Sequence, residues 1–142
     1  MMKQAVISFL LIVFTASLGF AQSNDGQSEE AGSKPVIQFE NTTHDYGEIE
    51  YKGDGTCSFT FENAGEEPLL LTKVKASCGC TTPSWPKEPI KQGETDTIKV
   101  KYNTRIKGNF SKSIRVYSNA ENSPVLLRLK GKVASTSTES NK

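Results

Sequence analysis

The chain has 142 residues, 17 basic against 16 acidic side chains, three cysteines and 35% hydrophobic residues. Nothing in that balance resembles a basic stripe for nucleic acid or an anionic membrane, and the length suits one domain with a core of its own. The first segment is a cationic start, Met1-Met2-Lys3, then the apolar run Ala5 to Phe14, then Gly19-Phe20-Ala21 with small residues where a signal peptidase cuts. It predicts a signal peptide over residues 1–21 and an exported protein, periplasmic or secreted. No transmembrane segment is expected after cleavage, and no lipid anchor, because no cysteine follows the cut. Losing Lys3 leaves 16 side chains of each sign.

Residues 22–34 hold no aromatic and no branched aliphatic residue and read as a flexible tether; residues 134–142 read as a disordered tail. Between them, residues 35–133 carry hydrophobic periodicity of two throughout. Strands are expected at 36–39, 44–49, 56–61, 69–76, 97–102, 110–117 and 125–133, with glycine- and asparagine-rich turns between them. In Thr56-Cys57-Ser58-Phe59-Thr60-Phe61 the alternation puts Cys57 on the buried face beside two aromatics. Residues 105–109, with Gly108, are expected to form a hairpin loop. The pattern predicts an all-β protein, a seven-stranded immunoglobulin-like β-sandwich, with a small closed barrel as the alternative. The Cys, Trp and Cys spacing of antibody domains is absent, since no cysteine lies beyond residue 80.

Chemistry concentrates in Ser77-Cys78-Gly79-Cys80-Thr81-Thr82-Pro83. Two thiols one residue apart, with a glycine that frees the turn, suit a disulfide, a soft metal or thiol–disulfide exchange. A structural disulfide would join Cys78 to Cys80, or Cys57 to either. A copper(I) or zinc site would take Cys78 and Cys80 with Cys57 or His44 as third ligand. Lys73 and Lys75 precede the pair but need not activate it. Pro83-Ser84-Trp85-Pro86 places an aromatic either as a cap on one end of the sandwich or as a loop contact, which makes Trp85 and Pro86 the partner-contact candidates. No nucleophile pairs with His44, no paired carboxylates and no phosphate loop stand out, so no catalytic residue and no cofactor are expected.

The order of motifs resembles the bacterial domain of unknown function 1573 family of exported immunoglobulin-like domains. The matching pieces are His44-Asp45-Tyr46-Gly47-Glu48-Ile49, Phe59 to Gly65, Leu69 to Val74, Ser77 to Pro83, Ile98 to Thr104, Gly108-Asn109-Phe110, Ser118-Asn119 and Leu129-Lys130-Gly131. The resemblance implies the sandwich and an exported location, and brings no established activity. Together these readings predict an exported non-enzymatic binding or scaffolding module with a protein partner in the cell envelope, reached through loops or by strand addition at sheet edges. The alternative is a thiol-based metal or redox protein.

Overall fold

The computed structural model describes residues 32–135. The expected signal peptide, all but the end of the expected tether, and the tail beyond residue 135 lie outside the described residues. Alternation decides the faces of every long strand. The segment Thr56–Asn63 buries Cys57, Phe59, Phe61 and Asn63 and turns Thr56, Ser58 and Glu62 to solvent. Eight strands form among the described residues: β1 (Ile37–Phe39), β2 (Thr43–Ile49), β3 (Thr56–Asn63), β4 (Leu71–Ala76), β5 (Thr81–Ser84), β6 (Thr95–Tyr102), β7 (Gly108–Ser118) and β8 (Val125–Val133).

They form two four-stranded sheets, ordered β1-β3-β6-β5 and β2-β8-β7-β4. All neighbours run antiparallel except β2 and β8, which are parallel. The class is the one expected, but the strand count is eight. The added strand is β5, whose Pro83 made it read as loop; an edge strand tolerates proline because the missing N–H would face solvent. The expected hairpin at residues 105–109 is also corrected. β6 and β7 belong to different sheets, so this loop crosses the sandwich instead of closing a ladder.

Phe59, Phe61, Ile98, Val100 and Tyr102 from one sheet face Ile114, Val116, Leu127, Leu129 and Val133 from the other. Each such burial contributes about 1.5–3 kcal/mol relative to exposure. An aromatic seam closes one end. Tyr102 of β6 stacks on Phe110 of β7 with centroids 3.9 Å apart, and Phe110 meets Tyr46 of β2 at 5.7 Å. Tyr46 then donates its hydroxyl to the Gly55 carbonyl at 2.7 Å, tying β2 to the start of β3 in the opposite sheet. Gly131 permits this packing, because a Cβ there would stand 2.9 Å from Phe110 Cζ and 3.0 Å from Tyr46 Cβ.

The sheet edges are blunted. β1 has three residues, β5 carries Pro83, β4 is bulged between Leu71 and Lys73 and presents lysines, and β2 has a register shift between Asp45 and Glu48. Short edges, proline, lysine and bulges all discourage pairing with another strand.

Candidate functional site

The chain leaves one sheet at Ala76 and enters the other at Thr81, and the cysteine run makes that crossing. Cys78 and Cys80 bridge each other, with Cα atoms 5.3 Å apart, and both residues are half-buried. Their sulfurs lie 3.9 and 3.8 Å from Thr81 Oγ1. Cys57 is the free cysteine, buried on the core face of β3. The sheet register shows why it cannot join them. Cys57 pairs with Val100 and Val100 with Pro83, which puts two strand spacings, roughly 10 Å, between β3 and β5, beyond the Cα separation of roughly 7 Å that a disulfide spans.

The proposed third ligand is further away. His44 sits on β2, at the opposite edge of its sheet from β4, three spacings or roughly 14 Å across. Its ring instead packs edge-on against Tyr46 at 4.4 Å and faces Phe59 at 6.5 Å. The metal set of Cys78, Cys80 and His44 is thus not brought together, and among the described residues no group of three or more His, Cys, Asp or Glu gathers. Gly79 also departs from its reading. A Cβ there meets nothing within 4 Å and its backbone is not left-handed, so the turn does not depend on glycine.

A bridge closing so short a loop removes little unfolded-chain entropy. Cys78→Ser/Cys80→Ser is expected to lower stability by about 1.5 kcal/mol, roughly half of what a long-range staple would contribute. Urea unfolding measures this. A thiol count on unreduced protein should find no accessible thiol when folded and one when unfolded.

Burial raises the Cys57 thiol above its ordinary 9.0. Burial first, and then the neighbouring Cys57, pushes Tyr46 far above its ordinary 10.0, and burial raises Tyr102 as well. All three are neutral when folded at neutral pH and ionise first in the unfolded chain. Their contribution is complete below the ordinary values and is lost as pH climbs past 9.0 for the thiol and 10.0 for the phenols. Each group steepens the loss by up to about 1.4 kcal/mol per pH unit. Unfolding midpoints between pH 8 and 11 should fall, and Tyr46→Phe or Cys57→Ala should flatten the fall.

Trp85 follows β5 directly. It is half-buried against the core, Pro83, Pro86 and Pro89 hold the backbone around it, and the Lys87 ammonium lies 3.2 Å from its ring centroid. Its indole N–H is sheltered and has no acceptor among the described residues. The structure therefore places Trp85 as a cap that also shows part of its surface beside half-buried Pro86.

Two features escaped the sequence reading. Asn63, read as turn, is completely buried; its Nδ2 donates to the Glu67 and Ile90 carbonyls at 2.8 and 3.0 Å, and its Oδ1 accepts from the Gly65 N–H at 3.0 Å. The signal available was Asn-x-Gly at a strand end, a pattern in which asparagine bonds its own backbone two residues on. The second feature is charge segregation. Lys73 and Lys75 of β4, Arg115 of β7 and Arg128 of β8 all point outward from one sheet, although the chain as a whole is nearly neutral.

A family model described as a protein of unknown function (DUF1573) matches residues 37–133. No curated protein matches the chain. Similar solved structures include a protein of unknown function from Porphyromonas gingivalis W83, at 20% identity and TM-score 0.61, with 72% of this chain and 48% of that one covered. The ASH / PapD-like domain 7 of human CEP192 is similar at 10% identity and TM-score 0.59, with 72% and 87% covered. The VesB protease of Vibrio cholerae is similar at 14% identity and TM-score 0.57, with 68% and 31% covered. The chain spans about half the length of the Porphyromonas protein. At such identities the likeness is one of fold alone.

Proposed function

The chain belongs to the DUF1573 family of proteins of unknown function, and from that premise we propose that it is an exported, non-enzymatic binding or scaffolding module, periplasmic or secreted, whose partner is a protein of the cell envelope. The observation that carries this reading is the loop after β5. A tryptophan half-set into the core, with prolines on both sides and a lysine over its ring, is a contact whose geometry exists before any partner arrives. Little side-chain and backbone freedom remains to be lost on association, and Trp is the residue type most enriched among energetic anchors at interfaces. The blunted edges favour this loop over strand addition. The bridge at Cys78–Cys80 fits a stapling role at the neighbouring crossover, with both sulfurs committed to each other.

The test is capture from the envelope fraction of the source cell, followed by titration of the purified partner. Trp85→Ala/Pro86→Ala should weaken binding at least tenfold while the circular dichroism of the sandwich is unchanged. Lys87→Ala, which keeps the indole, should weaken it less. Unchanged affinity of the double variant for every captured protein would remove this loop as the contact.

A further inference from the structure

The outer face of the β2-β8-β7-β4 sheet divides electrostatically. Toward β2, Asp45 pairs with Lys130 at 3.1 Å and Glu48 with Lys132 at 2.9 Å. Toward β4 there is no such compensation among the described residues. Lys75 stands directly opposite Arg115, Lys73 opposite Tyr117, and Arg128 opposite Ser113, one diagonal step from Arg115. Like charges directly opposed across strands oppose sheet formation. All four cations are exposed, so burial does not account for their placement. Amid them lies a depression of about 230 Å³ lined by Lys75, Ala76, Ser77, Ser113, Arg115 and Tyr117. Two of its lining residues tie the chain beyond β4 to β7: Ser77 N–H donates to the Ser113 carbonyl at 2.8 Å, and Ser113 N–H donates to the Ser77 side-chain Oγ at 3.2 Å.

We infer that this face binds an acidic polysaccharide, a chain of sugars bearing carboxylate or sulfate groups. The proposal goes beyond the protein partner assigned to the Trp85 loop and uses a different surface. Charge complementarity carries it. The guanidinium of Arg115 offers a planar fork to an oxyanion and Lys75 a second cation beside it, with Lys73 and Arg128 continuing the band over three strands for successive anionic groups. The Tyr117 ring supplies an aromatic surface for a sugar, and the serine hydroxyls supply donors and acceptors for its hydroxyl groups. An anionic membrane fits less well, because this face adds one large exposed apolar side chain, Leu126, to its charges.

The experiment measures binding of the protein to polygalacturonate (carboxylate) and to heparin (sulfate) at low salt, with neutral dextran and vesicles of phosphatidylglycerol in phosphatidylcholine alongside. At least one acidic polymer should bind, and dextran should not. Affinity should fall steeply with added salt. Lys75→Gln/Arg115→Gln should lose at least tenfold, and Tyr117→Ala several-fold without changing the salt dependence. Lys99→Gln/Lys101→Gln, an equal charge change on the opposite sheet, should bind as the parent does. The proposal is overturned if neither polymer binds, if both double variants lose affinity equally, or if the vesicles bind more tightly than either polymer.

Discussion

Replacing Gly55 with alanine is expected to destabilise the protein by about 3 kcal/mol or more, the larger of two single-residue effects that the packing predicts. A Cβ at this buried position would land on the Tyr102 carbonyl oxygen and stand 2.9 Å from Thr104 Cγ2. Backbone has to move, and the backbone concerned is committed. The Gly55 carbonyl accepts from the Tyr102 N–H at 2.8 Å and from the Tyr46 hydroxyl at 2.7 Å. Displacing it loosens the first pairing of β3 with β6 and the link from β2 across the sandwich. Urea unfolding of Gly55→Ala measures the loss, with Gly79→Ala as the comparison. At Gly79 there is open space and ordinary backbone, so the change should stay within about 0.5 kcal/mol.

Asn63→Ala is the second, at about 3 kcal/mol. The Ile90 carbonyl keeps another donor, the Leu69 N–H at 2.8 Å, so its loss is modest. The Gly65 N–H and the Glu67 carbonyl lose their side-chain partner next to buried surface. Asn63→Asp separates hydrogen bonding from shape. It keeps an acceptor for Gly65 but loses the donor to Glu67 and places a carboxylate in the core, so its deficit should exceed that of alanine at neutral pH and shrink in acid. A deficit independent of pH would mean that this site is more open than the structure shows.

The long strands were legible because one face of each is buried and the other wet. β3, β6 and β8 alternate over eight, eight and nine residues, enough for the period of two to dominate. β5 was not legible, since four residues with a proline carry no period. Asn63 misled because a polar residue beside glycine reads as turn whether its amide faces water or core. The cysteine pair was found from its spacing, but its connectivity depended on register. Only the β3–β6–β5 ladder shows that Cys57 is out of reach. The basic band is the clearest case of information that no local window holds. Its four cations come from three strands spread over more than fifty residues, and they meet because β7 pairs with both β4 and β8.

The central claim is that the Trp85 loop is the surface a protein partner meets. Hydrogen–deuterium exchange of the protein, free and saturated with its captured partner, tests it most directly. Slowed exchange concentrated in residues 84–91, with β1 and the β3–β4 turn unchanged, is the predicted result. Protection confined to an edge strand, with residues 84–91 exchanging as in the free protein, would contradict it.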